Sequence, residues 1–244
     1  MTEWAALDGE GRVDLIVAAL ARLVADGDSV LELGVESGRV AVGLAAAGRN
    51  VTVIDPRAEI LDSLQDRARE AGCSLSTILG DLRDFQSGPH ELIYSLCSRM
   101  LELVSQDDQV ACFANVSQAL GDGGVFLIET PLPPSPHDQV VSIDLADGDV
   151  VVLLESYDQV TQLYSRARLA GRGENVRISH RQLRYTSLAE FDLMARLAGL
   201  DLKARWGTWS ADPVNRFSRY VVSLYTLSLN PPRDFRWESG ACPA

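Results

Sequence analysis

Apolar residues recur at helical spacing near the start of the chain, at Val13, Ile16, Val17, Leu20 and Leu23, and the pattern stops at Gly27, which predicts an amphipathic helix within the first thirty residues. From Ser29 the pattern changes to short apolar runs, at Ser29–Leu33, Asn50–Ile54, Ser76–Leu79, Glu91–Leu96 and Gly124–Glu129. Segments with helical periodicity lie between them, Ala58–Ala71 and Asp107–Leu120 among them. Strands that are apolar on both faces and alternate with helices predict a parallel, doubly wound α/β sheet.

After Glu129 the run Thr130-Pro131-Leu132-Pro133-Pro134-Ser135-Pro136 is incompatible with a continuing strand or helix and predicts an extended connector. Four strand-like stretches follow, at Val140–Asp144, Asp149–Tyr157, Gln159–Arg168 and Glu174–Tyr185, with turn signals at Asp147-Gly148 and Ala170-Gly171-Arg172-Gly173. They predict an antiparallel meander laid over the core. A helix at Ser187–Ala198 comes next, with Ser187 as cap, Glu190 at the capping-box position and Gly199 as terminator. Strands at Leu200–Trp209 and Arg219–Leu229 are expected to complete the first sheet as an antiparallel hairpin, and the tail from Asn230 to Ala244 is expected to be mobile.

With 244 residues and 46% apolar content, the chain can bury one full α/β core carrying a smaller subdomain. Its apolar stretches are short and broken by charge, and Met1–Trp4 lacks a basic region followed by an apolar run. Neither a membrane span nor a secretory signal is expected, and a cytoplasmic location is. A formal charge of −12 without any run of Lys or Arg disfavours nucleic acid as a partner. The four cysteines are scattered, without a Cys-x-x-Cys pair or a histidine at zinc spacing, so no metal site is expected.

The chemistry concentrates at the carboxyl ends of the predicted strands. Leu31-Glu32-Leu33-Gly34-Val35-Glu36-Ser37-Gly38 runs from a strand through a glycine turn into a helix, an arrangement that presents backbone amides and a helix N-terminus to a ligand. Glu36 and Arg39 stand where a nicotinamide dinucleotide fingerprint requires its second and third glycines, which disfavours a dehydrogenase. Asp55 ends the second strand, placed to accept from both hydroxyls of a ribose. Asp81, in Leu79-Gly80-Asp81-Leu82, follows the third strand, where a carboxylate can accept from an exocyclic adenine amine. Gly121-Asp122-Gly123-Gly124 reads as a tight turn before the fifth strand.

In this order, Glu32-Leu33-Gly34-x-x-x-Gly38-Arg39, Asp55, Gly80-Asp81 and Gly121-x-Gly-Gly124 resemble the successive motifs of class I S-adenosylmethionine-dependent methyltransferases. A second stretch, from Arg184-Tyr185-Thr186-Ser187 through Met194–Leu200 to Trp206-Gly207-x-Trp209, is similar to the C-terminal half of actinobacterial small-molecule methyltransferases. The resemblance implies a Rossmann-like core at residues 1–130 that binds S-adenosylmethionine, a substrate-covering meander at 137–185, and a return to the core sheet at 186–229, with the tail at 230–244. Gly34 and Gly38 would approach the methionine portion, Asp55 the ribose and Asp81 the adenine, with Glu32, Glu36, Leu82 and Ser95 completing the cofactor contacts.

Two departures stand out: Glu36, where the family usually has glycine, and Ser95-Leu96-Cys97-Ser98-Arg99, where close relatives often have asparagine. Arg99 is a candidate to pair with an anionic substrate, alternatively a surface arginine, and Tyr157, Tyr164 and Tyr185 are candidates to shape the pocket. His137, His180 and Asp81 are the candidate bases, whereas His90 is expected in a solvated turn. The reaction expected is O- or N-methylation of a small natural-product intermediate. The alternatives are a repurposed fold that catalyses ring closure or elimination without the cofactor, and a non-catalytic partner subunit. A homodimer or a partner protein is compatible with either.

Overall fold

Strand β1 (Ser29–Leu33) pairs in parallel with β2 (Asn50–Asp55) on one side and β4 (His90–Ser95) on the other, and the sheet grows outwards from it. The computed structural model describes residues 10–132, 139–144, 150–172 and 175–228. Beyond β2 lies β3 (Ser76–Leu79). Beyond β4 lie β5 (Leu120–Pro131) and then an antiparallel pair, β11 (Tyr220–Leu227) and β10 (Leu200–Trp206). The order β10-β11-β5-β4-β1-β2-β3 puts β1 and β4, the neighbours at which the chain reverses its direction of winding, at the centre, and such a switch point is where open α/β sheets bind ligands.

Alternate residues of each strand face opposite layers. Val30, Val53, Leu92 and Leu127 meet one set of helices: α1 (Glu10–Ala21) through Ile16 and Leu20, α2 (Arg39–Ala46) through Ala41 and Leu44, and α3 (Ala58–Glu70) through Leu61 and Leu64. Leu31, Ile54, Ile93 and Phe126 meet the other: α4 (Gln106–Ala119) through Phe113 and Val116, and α5 (Leu188–Leu197) through Phe191 and Met194. Phe113 stands edge-on to Phe126 at 5.5 Å and to Tyr225 at 6.1 Å, so truncating it to alanine would cost about 3–5 kcal/mol. The doubly wound α/β architecture expected from the sequence is present.

A second sheet, of β6 (Gln139–Asp144), β7 (Val150–Asp158), β8 (Leu163–Arg172) and β9 (Asn175–Arg184), is antiparallel throughout and inserted between β5 and α5. Its third strand starts at Leu163 rather than Gln159. The Asp158 carboxylate accepts from the amides of Val160 and Thr161 and from the Thr161 hydroxyl, which holds the intervening residues in a turn. Arg184 ties the insert to the core, donating to Gln109 and Thr186 through one terminal nitrogen and to Gln162 and Glu190 through the other. Ser187 caps α5 by accepting from the Glu190 amide at 3.2 Å, and the Glu190 carboxylate is turned to Arg184, Gln162 and Gln106.

Three local expectations need correction. Gly121–Gly124 belongs to β5, which begins at Leu120 opposite His90 across an irregularity in the ladder. A Cβ on Gly124 would lie 2.8 Å from the His90 carbonyl oxygen, so glycine permits this approach. His90 is buried rather than solvated, bonded through its two ring nitrogens to the hydroxyls of Ser29 at 2.6 Å and Ser87 at 2.8 Å, and burial lowers its pKa. Thr130 and Pro131, assigned above to the connector, continue β5 to its pairing with β11. Pro133–Pro136, His137, the Asp147-Gly148 turn and the tail from Asn230 to Ala244 lie outside the described residues.

Candidate active site

The carboxyl ends of β1, β2 and β3 open on a cleft of about 310 Å³, bounded by Gly34, Asp55, Arg57, Asp81, Leu82, Arg83, Arg99, Glu102 and Asp108, with Leu103 and Val104 as an apolar wall. A smaller cavity beside it, of about 20 Å³, is lined by Arg12, Glu32, Glu36, Gly38, Leu96 and Cys97. The glycine turn makes both possible. Gly34 has φ +74° and Gly38 φ +72°, left-handed conformations that cost an L-residue about 1 kcal/mol or more. A Cβ on Gly38 would lie 2.5 Å from Leu64 Cδ1, and one on Gly34 would meet Cβ, Cγ and Cδ of Arg99 at 3.0–3.1 Å.

Asp55 and Asp81 occupy the positions expected, and each is engaged by the arginine two residues later. Asp55 Oδ1 accepts from the amide and Nε of Arg57, and Oδ2 accepts from the Val35 amide and Arg57 Nη2, at 2.7–2.9 Å. Those four bonds fill the acceptor sites of a carboxylate. Burial pushes the Asp55 carboxyl up, but the Arg57 and Val35 bonds together outweigh it and hold the group below the usual range. Arg83 grips Asp81 in the same way, with Nε on Oδ1 at 2.9 Å and Nη2 on Oδ2 at 2.7 Å, and these bonds hold its carboxyl low as well.

The two departures from the family pattern are partners. Arg99, 3% exposed at its side chain, reaches Glu36 Oε2 at 2.5 Å with Nη2 and Glu102 Oε2 at 2.7 Å with Nη1. Glu36 lines the small cavity and Arg99 the cleft, so their ion pair stands between the two. Arg99 Nε is buried and has no hydrogen-bond partner among the described residues. Glu32, also in the small cavity, accepts from the Tyr94 hydroxyl at 3.0 Å, and burial pushes its carboxyl up to about 8.

Gly34, Asp55, Asp81, Leu82 and Arg99 thus meet in the cleft, and Glu32, Glu36 and Gly38 in the cavity beside it. Ser95 does not join them: it is buried, and its hydroxyl donates to the Leu33 carbonyl at 3.1 Å. His180 is exposed on β9, one position from Arg181 and so on the opposite face of that strand, and Arg181 is the one that approaches Glu102, at 3.8 Å. Tyr157 and Tyr185 pack edge to face at 5.9 Å but do not line the cleft, while Tyr164 supports Arg166. His137 lies outside the described residues. Sequence reasoning missed Arg57, Arg83 and Glu102, although the repeated Asp-x-Arg after β2 and β3 is a legible signal for the first two.

A family described as methyltransferase domain matches residues 30–124, from β1 to the first half of β5. The cypemycin N-terminal methyltransferase of a Streptomyces species is 24% identical over 203 residues, covering 81% of this chain and 82% of that protein. The structure of the CcbJ methyltransferase from Streptomyces caelestis superposes with a TM-score of 0.82 at 28% identity, covering 90% of this chain and 96% of that one. CalS10, an amino pentose methyltransferase from Micromonospora echinaspora solved with S-adenosylmethionine bound, shares the fold, with a TM-score of 0.60 at 19% identity over 87% of each chain.

Proposed function

Because the chain is a class I S-adenosylmethionine-dependent methyltransferase, we propose that it methylates an amine of a small natural-product intermediate. One observation carries the reading: Gly34, Asp55 and Asp81, from three successive strand ends, converge on a single cleft beside the glycine turn. S-adenosylmethionine is the cofactor of this family, and when bound it supplies an electrophilic methyl group on a sulfonium.

The residues present fit that cofactor with one adjustment. Leu82, Leu103 and Val104 offer an apolar wall to the base, Asp81 a carboxylate to its exocyclic amine, and Asp55 one acceptor site on each oxygen once Arg57 swings away. Arg57 is one-third exposed at its side chain, and such pairs contribute on the order of 1 kcal/mol, so it weakens diol binding by about fivefold rather than forbidding it. Glu32 and Glu36 lie where the ammonium end would be received.

An amine acceptor suits the cleft better than a hydroxyl. Methyl transfer needs alignment above all, and a hydroxyl additionally needs a base. Among the described residues no histidine lines the cleft, and Asp81 is a weak base because Arg83 holds its carboxyl low. Glu102 and Asp108 put carboxylates at the mouth that attract a cationic amine, whose proton is lost to water before the transfer. The name of the cypemycin enzyme, an N-terminal methyltransferase, supports an amine as the acceptor.

A second reading, cofactor-independent ring closure or elimination on the same scaffold, is favoured by the saturation of Asp55 by Arg57 and by the Arg99 side chain lying over Gly34. Titration calorimetry with S-adenosylhomocysteine separates the two. Micromolar binding that Asp55→Ala abolishes supports methyl transfer, and absence of binding both by the natural chain and by Arg57→Ala removes it in favour of the second reading.

A further inference from the structure

From sequence, Arg99 is the candidate receptor for an anionic group, but the structure neutralises it between Glu36 and Glu102. A cluster of arginines sits instead on the inserted sheet. In the β8–β9 ladder Arg166 lies opposite Arg181, Arg168 opposite Ser179 and Ala170 opposite Arg177. Directly paired residues share a face and alternate residues along a strand return to it, so Arg166, Arg168, Arg177 and Arg181 all project from one side.

Arg166 is closed by Glu155 at 2.5 Å and lies over the Tyr164 ring. Arg181 approaches Glu102, itself a wall of the cleft, at 3.8 Å. Arg168 and Arg177 are exposed and have no ion-pair partner among the described residues. Like charges directly opposite across a ladder are destabilising, and this face gathers four arginines on a chain whose net charge is −12. Arg168 and Arg177 therefore leave a positive patch on the same face as Arg181, the member that approaches the cleft wall.

We propose that this arginine face binds an oxyanion of the acceptor, a carboxylate, phosphate or sulfate, while the acceptor's amine enters the cleft beside Glu102 and Asp108. The acceptor is therefore a molecule carrying both an amine and an acid. The proposal rests on the amine-methylation reading for its second half, but the anion site itself is tested without cofactor or turnover. Arginine forks recognise such groups bidentately, and the exposed Arg168, Arg177 and Arg181 need only turn toward the ligand.

The test is a nuclear magnetic resonance titration of the full chain, following arginine Nε–H signals with sodium phosphate, sodium sulfate and sodium acetate against sodium chloride at matched ionic strength. The expected result is saturable shifts at Arg168, Arg177 and Arg181. The double variant Arg177→Gln with Arg181→Gln should weaken the apparent Kd by about tenfold or more. Arg196→Gln, an exposed change on α5, should leave it unaltered. Saturation by phosphate or sulfate alone identifies a phosphorylated or sulfated acceptor, and saturation by acetate as well a carboxylate. Unsaturable shifts spread evenly over the exposed arginines, or saturation unaffected by the double variant, overturn the proposal. Failure of methyl transfer with this site intact would instead overturn the reading of the reaction.

Discussion

Glu36 and Arg99, 63 positions apart, form an ion pair of 2.5 Å between the glycine turn and the segment after β4. The charge that Glu36 adds to the turn is compensated, and Arg99 is held by two carboxylates rather than free to bind substrate. Breaking a largely buried pair from one side strands the other charge. Glu36→Gln and Arg99→Gln should therefore each destabilise the fold in urea denaturation, while the double variant loses less than their sum. The expected coupling is about 1–3 kcal/mol. Additive losses would show that the two side chains do not cooperate.

Arg57 engages one acceptor site on each oxygen of Asp55, as the two hydroxyls of a ribose would. Arg57→Ala should tighten S-adenosylhomocysteine binding by about fivefold, the equivalent of the order of 1 kcal/mol assigned to the pair. Arg57→Lys, which cannot fork, should fall between. Calorimetry that finds the alanine variant weaker would mean that Arg57 helps to hold the ligand.

Glu32 gives a signature in pH. Its carboxyl is pushed up to about 8 by burial, against about 4.3 when unfolded. Between those values the folded state keeps a proton that the unfolded state releases, so this group's contribution to stability is complete below the unfolded pKa and declines as pH rises through the folded one. Glu32→Gln, which still accepts from Tyr94, removes the decline. The variant should gain on the natural chain by up to about 1.4 kcal/mol per pH unit between pH 5 and 8, and the gap should level off above that. Urea midpoints across that range check it, and parallel curves would contradict it.

Arg184 bonds Gln109 of α4, Thr186, Gln162 and Glu190 of α5 with a side chain that is 5% exposed. Arg184→Met should cost about 3–5 kcal/mol by removing the charge partner of the Glu190 carboxylate, which keeps only its bonds from Gln162 and Gln106, and one of the two donors to the Gln109 side-chain oxygen. It should raise amide hydrogen exchange in β7–β9 more than in β1, β2 and β4. Equal acceleration in both sheets would assign Arg184 to general stability instead of attachment of the insert.

The elements legible in the sequence are those whose cause is local. The glycine turn, Asp55 and Asp81 were found because each is a fixed number of residues from the apolar run before it, and the Ser187 cap because it depends on a single turn of helix. Relations between distant segments were not legible. Glu36 and Arg99 each carried a local anomaly, and neither contained a sign of the other. His90, preceded by Ser87-Gly88-Pro89, has the surroundings of a loop in the sequence. What buries it is the hydroxyl of Ser29, 61 positions away. His180 was singled out for its chemistry, but one step of strand alternation decides which side it faces.

The core sheet closes beneath the insert without it. Tyr220 pairs with Pro131, the Leu132 amide donates to the Arg219 carbonyl, and the Glu129 carboxylate accepts from both Arg12 at 2.6 Å and the Trp209 indole. One carboxylate, two residues before the end of β5, therefore clasps the beginning, middle and end of the described chain. That sheet hangs from a finished frame in the manner of a cassette. Substitutions along β7–β9 can alter what is recognised while the frame keeps its own reasons to fold, and this part of the chain is free to change partners without relearning its shape.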